Sequence, residues 1–308
     1  MEDRTDELSN KTFRTRQLPP LHNFLKDSLV HKEKLLSRIL CQHLDLKDSA
    51  RSSRHKKDIR GEIKNLTIAQ LPLPNLPTYD PALLPIRVRI EIYLFTDAVT
   101  YKHEFVLLPA MHLPKIDLDI INDIAFYPLL LLRAASDVTD SVLYWLENAY
   151  LAPARPFVLP NTTLVNIVHI CVESFYYLSQ EMEERKSLDP KAIVHDLEDD
   201  TDQLKLEYQL LNDDVSKITL LISRQQVVDI CHQLPERALF YKAFLNHVCN
   251  TTSIRVSSMT FSQVAYSSLA VRRDGCFKIN PNALKDDALD LLRELLQAGE
   301  EQAYEFLY

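Results

Sequence analysis

The sequence predicts an α+β protein: two pseudo-repeated lobes of antiparallel or mixed curved sheet packed by helices, with an N-terminal helix and a C-terminal β-hairpin plus helix. Three observations carry that reading. Apolar residues recur at period two in some segments and at helical spacing in others. The order strand, strand, helix, strand occurs twice along the chain. Near the C-terminus, Asp274-Gly275 interrupts two alternating runs, a strong short-range hairpin signal because a tight turn needs residues that accept positive φ.

Five segments follow from composition. Residues 1–17 are polar and mixed in charge and read as a disordered tail. Residues 18–58 hold a helix over His22–His43, where Leu25, Leu29, Leu36 and Leu40 share a face, followed by a basic loop. Residues 59–186 form the first α/β lobe. Its strands are Ile59–Ala69, Ile86–Phe95, Tyr101–Leu108 and Phe126–Arg133, with five prolines between Leu71 and Pro85 forcing a connector. Asp137 caps a helix to Leu151 containing Trp145, and Asn161 opens another whose charged exit is Glu181–Lys186. Residues 187–202 are an acidic linker. Residues 203–308 form the second lobe, with strands at Leu204–Leu211 and Lys217–Ile222 turning through Asn212-Asp213-Asp214, helices near Gln225–Gln233 and Glu236–Cys249, and a last helix capped by Asn282 and stopped at Gly299.

The docking element is expected within Thr252–Asn280. A single long strand over Met259–Val271, with Phe261, Val264, Tyr266, Ser268 and Ala270 along it, is small-residued and Ser-rich, so it specifies its own register weakly. Such a strand suits addition of a strand from another chain, and Met259 to Ala270 are its candidate partner-binding residues.

Charge is uneven. The chain carries a net −8, yet its first 60 residues hold 14 Lys plus Arg against 9 Asp plus Glu. Arg54, Lys56, Lys57 and Arg60 make a local basic patch, which suits a contact with phosphates or an acidic partner or stands as a solvated loop. Five scattered cysteines point to free thiols in a reducing compartment. Three glycines exclude the glycine-rich phosphate loops of nucleotide enzymes. No clustered His/Cys set suggests a metal, no glycine-flanked serine suggests a nucleophile elbow, and no apolar run reaches the ~18 residues of a membrane span. The expectation is a non-enzymatic protein without cofactors, metal or membrane contact.

Four stretches resemble the centromere protein L family, the inner-kinetochore subunits related to yeast Iml3. Leu18-Pro-Pro-Leu-His-Asn-Phe24 running into Leu35–Leu40 is similar to its N-terminal segment. Tyr127-Pro-Leu-Leu-Leu with the Trp145 helix is similar to its buried strand and Trp-bearing helix, and Leu204–Leu210 falls where its second half begins. Phe240–Val248, Ile254–Ser257, Val264–Val271 and Asp274–Ile279 are similar to its C-terminal helix, strand and hairpin. The resemblance implies a nuclear kinetochore scaffold that pairs with centromere protein N through its C-terminal sheet inside the constitutive centromere-associated network. It also makes Arg54, Lys56, Lys57, Arg60, Arg272 and Arg273 candidates to face DNA or nucleosomal acids, and a second copy on the same edge is a further candidate partner when the chain is alone. Competing readings are an unrelated autophagy or replication adaptor and an enzyme with a dispersed site.

Overall fold

The computed structural model describes residues 8–48, 59–73, 76–112, 123–188, 203–210, 217–280 and 285–304, and it is mixed α+β. The chain divides into two compact units. An N-terminal unit holds residues 13–157 and 296–304; a C-terminal unit holds residues 8–12 and 158–295.

In the N-terminal unit the strands are β1 (Lys11–Gln17), β3 (Leu46–Asp48), β4 (Gly61–Gln70), β5 (Ile86–Leu94), β6 (Val99–Leu108), β8 (Leu129–Arg133) and β9 (Arg155–Pro156). They lie in the order β9-β1-β8-β6-β5-β4-β3, antiparallel except for β3 on β4. A separate pair joins β2 (Leu21–His22) to β7 (Ile124–Ala125). Strict alternation in Ile86–Ile92 puts Val88 and Ile90 in the core with Phe105 and Leu132, beneath Trp145 of α2 (Ser136–Tyr150). The polar side of the same strand pairs Glu91 with Lys102 at 3.3 Å. His103 sits opposite Ile90 while Glu104 sits opposite Arg89, so the two neighbours face opposite ways, as period two requires.

Several expectations change here. The segment expected to be a disordered tail forms β1 over Lys11–Gln17, because Phe13, Thr15 and Gln17 alternate inward while Thr12, Arg14 and Arg16 do not. Lys11 and Thr12 count with the C-terminal unit and the rest of β1 with the N-terminal unit. The first helix starts later than His22. Ser28 caps α1 (Leu29–His43) by accepting from His31 N, and Phe24–Lys26 is a separate 3-10 turn. The helix α3 (Asn161–Leu188), expected in the first lobe, packs instead on α4 (Arg224–Gln233), α5 (Phe240–Thr252) and β12 (Thr260–Ala265) of the C-terminal unit. The linker residues 189–202, the turn at Asn212-Asp213-Asp214 and the Asn282 cap lie outside the described residues.

The C-terminal sheet has the order β11-β10-β12-β13-β14, all antiparallel, from β10 (Gln203–Gln209), β11 (Lys217–Ser223), β12, β13 (Leu269–Arg272) and β14 (Phe277–Ile279). Beyond β14, Asn10 N donates to Ile279 O at 2.7 Å. The expected long strand is two. Tyr266-Ser267-Ser268 turns the chain, with Tyr266 N donating to Leu269 O at 2.8 Å, so β12 and β13 fold onto each other. The Asp-Gly turn also differs from a two-residue loop. Arg272 N donates to Cys276 O and only Gly275 has positive φ, at 74°, leaving Arg273-Asp274-Gly275 as a three-residue loop. The duplication is uneven too: the single helix α2 of the first half has two counterparts, α4 and α5, and a 3-10 turn at Val256–Ser258 stands where β9 stands in the first.

Gly299 does not stop the last helix, α6 (Lys285–Tyr304), which runs one further turn. Its role is close approach: a Cβ there would stand 2.7 Å from Leu129 Cδ2, inside the N-terminal unit. One residue on, Glu300 is buried and accepts from the Met111 backbone N–H and from the His112 ring at 2.9 Å. Gly299→Ala therefore lowers stability by roughly 1–3 kcal/mol through overpacking, although alanine adds about 1 kcal/mol of helix propensity. Urea unfolding of the two proteins measures the difference, and a stabilised variant contradicts the contact.

Candidate partner-docking edge

Backbone pairing decides which strand can accept another. Each strand has two ladder sides, and interior strands have spent both. In the C-terminal sheet β12 is bonded to β10 on one side and β13 on the other. Phe261 and Val264 are buried at 2% and 0% exposure, Tyr266 and Ser268 are buried in the turn that follows, and Met259 and Ala270 are half-buried. Over Gln263–Ala265 both ladder sides of β12 are therefore taken, which leaves the strand addition expected along Met259–Val271 no free ladder there.

The open edge is β11. It pairs with β10 from Gln203↔Ser223 to Gln209↔Lys217, and no strand among the described residues pairs with its other side. Its sequence Lys-Ile-Thr-Leu-Leu-Ile-Ser places Ile218, Leu220 and Ile222 on the face shared with Leu206 and Tyr208 of β10. Leu221 falls on the other, polar face and is 58% exposed. An apolar, β-branched edge without a proline or an inward charge is a template for a further strand. The end of β11 is fixed by a capping box: Ser223 accepts from Gln226 N at 3.3 Å, and the Gln226 side chain accepts from Ser223 N at 3.0 Å.

The strand behind this edge is held rigidly. Tyr208 of β10 stacks on Phe261 with centroids 4.8 Å apart and its hydroxyl meets the Tyr241 hydroxyl of α5 at 3.1 Å. On the opposite face Glu207 is buried and takes Lys205 at 2.6 Å and Lys217 at 3.6 Å. The bond from Lys205 holds the Glu207 carboxyl below the ordinary carboxylate range against the opposing effect of burial.

Beneath the β12–β13 turn sits a buried polar group of three. The Tyr266 hydroxyl donates to the Asp287 carboxylate, and Ser174 Oγ of α3 donates to the same oxygen at 2.7 Å. Burial pushes the Asp287 carboxyl up, and the two hydroxyl donors only partly counter it.

The basic candidates disperse. Arg272 pairs with Asp274 at 2.6 Å, and Arg273 donates to Asn161 Oδ1, at the first residue of α3, at 2.8 Å. Arg60 leads into β4, its backbone N–H bonded to Asp45 O and its carbonyl accepting from Phe95 N. Arg54, Lys56 and Lys57 lie outside the described residues. Among the described residues no group of three or more His, Cys, Asp or Glu is placed to hold a metal, and no helix is long and apolar enough to cross a membrane. Sequence reasoning placed the strand at Lys217–Ile222 and missed its bare edge. Its available signal was Leu221, an apolar residue out of phase on an otherwise polar face.

A mixed α+β fold with a rigid, bare apolar edge defines a protein whose visible equipment is for association. The family comparison agrees: the model for centromere protein L matches residues 7–303, so the chain belongs to the centromere protein L family. No curated protein matches the sequence. Membership gives a kinetochore-related role at the centromere, hence in the nucleus, among inner-kinetochore proteins, in a structural family rather than a known enzyme family.

The Asp287 site yields a prediction. Because its folded carboxyl lies above the ordinary ~3.9 of the unfolded chain, its contribution is full at low pH and is lost as pH rises through the raised value. The stability of the wild type relative to Asp287→Asn thus falls as pH climbs from about 4 towards 7. Asp287→Ala, which strands two hydroxyls, costs about 2 kcal/mol or more at the acid end, and that cost shrinks in the same way as pH rises. Denaturation at several pH values tests this, and a pH-independent Asp287→Asn difference contradicts it.

Proposed function

We propose that this chain is a non-enzymatic scaffold subunit of the inner kinetochore. In this reading it heterodimerises with a centromere protein N-like subunit by accepting that partner's strand on β11, and helps assemble the constitutive centromere-associated network on centromeric nucleosomes for chromosome segregation. The unpaired β11 edge carries the proposal: main-chain hydrogen bonds supply affinity, and Ile218 and Leu220 supply an apolar register. Without the partner, the same edge pairs with a second copy in antiparallel fashion, so partner and copy compete for one ladder. DNA is contacted through the basic stretch from Arg54 to Arg60, with Arg272 and Arg273 as further candidates. That contact weakens steeply with salt.

Two variants separate this edge from the interior strand. Leu221→Lys puts a charge on an exposed position, changes stability by no more than about 0.5 kcal/mol, and weakens heterodimer affinity at least tenfold, about 1.4 kcal/mol. Val264→Asp buries an unpaired carboxylate and costs more than about 4 kcal/mol of stability. Thermal melts and titration with the purified centromere protein N-like subunit read both. Full affinity in a folded Leu221→Lys protein defeats the edge assignment.

A further inference from the structure

The helices α4 and α5 pack on the face of the C-terminal sheet that carries Leu206, Tyr208 and Phe261. The opposite face forms a cleft of about 510 Å³ whose lining includes Glu207 and Gln209 of β10, Lys217 of β11, Gln263 of β12, and Arg272 and Arg273 at the β13 turn. Its charges are not balanced. Lys217, Arg272 and Arg273 stand against Glu207 and Asp274, and Lys205 is bonded to Glu207. The two carboxylates are already engaged, Glu207 by both lysines and Asp274 by Arg272. The Glu207 side chain is only 9% exposed, whereas those of Lys217 and Arg272 are 63% and 57% exposed. What the cleft presents to solvent is therefore mainly cationic.

The floor is of a different kind. Gln209, Gln263, Thr260 and Ser262 offer both donors and acceptors, which suits a peptide backbone. A duplex would bring its phosphates against Glu207 and Asp274 as well as against the cations. Charge complementarity and the mixed floor favour a polypeptide over nucleic acid.

We propose that this cleft takes an extended acidic segment of a protein partner, whose carboxylates are met by Lys217 on one wall and by Arg272 and Arg273 on the other. This contact is made by side chains on the sheet face and is separate from strand addition at β11.

A fluorescein-labelled twelve-residue peptide of alternating Glu and Ser tests it by anisotropy on the full chain. Its Lys/Ser counterpart and a labelled 20-base-pair duplex serve as competitors in class. The Glu/Ser peptide binds at low salt and loses affinity as salt rises. Arg272→Glu combined with Arg273→Glu weakens it at least tenfold, and Lys217→Gln weakens it two- to fivefold should the double variant melt early. Lys242→Glu, on the exposed face of α5, leaves it unchanged. Leu221→Lys, which adds a cation on the same face, does not weaken it, so failure here and failure at the edge are told apart. No binding at low salt, equal binding of the Lys/Ser peptide, preference for the duplex, or insensitivity to the cleft variants each overturns the proposal.

Discussion

A strand can be extended only where its backbone groups have no partner, and the C-terminal sheet applies that constraint strictly. β10 stands between β11 and β12, so it closes the inner side of each. The tight turn at Tyr266–Ser268 then brings β13 onto the far side of β12. Asn10 takes up Ile279 of β14, at the opposite end of the sheet. Among the described residues one ladder side remains, the outer side of β11, and this strand carries the exposed apolar residue Leu221. An unpaired ladder flanked by apolar side chains is a standing incentive to associate, because each added backbone bond comes with burial of Ile218, Leu220 or Leu221.

Rigidity makes that edge specific. β10 is locked by the Tyr208–Phe261 stack and the Tyr208–Tyr241 hydroxyl contact, and the exit from β11 is locked by the Ser223–Gln226 box. On the polar face Glu207 ties β10 to Lys217 at the start of β11. The edge is thus pre-organised, and a partner need order only its own segment. The same sheet offers a second surface by a different physical route. Its other face is cationic and polar, so in the proposed reading the edge reads backbone and apolar pattern while the face reads charge.

Much of this fold was legible because alternation and helical spacing are local. Ile86–Ile92, Trp145 with its helix, and the Leu204–Leu211 and Lys217–Ile222 pair each specify their element from side chains within a few residues. The bare edge was not legible because edge or interior status is decided by strand order, which no local pattern encodes. The residues from Phe261 to Val271 looked like one strand since Val264, Tyr266, Ser268 and Ala270 alternate, yet Ser267 and Ser268 bend the chain. Gly299 read as a helix stop because glycine is common there; its real constraint, Leu129, is 170 residues away in sequence. The tail at residues 11–17 read as disordered because its buried members, Phe13, Thr15 and Gln17, are mostly polar.

Amide hydrogen exchange on the C-terminal unit, with and without the centromere protein N-like subunit, tests the account most directly. In the free chain the amides of β12 and β13 exchange slowly and alternate amides of β11 exchange fast; adding the partner protects those of β11 and leaves β12 as it was. Protection that appears on β12 or β13 and spares β11 would contradict it.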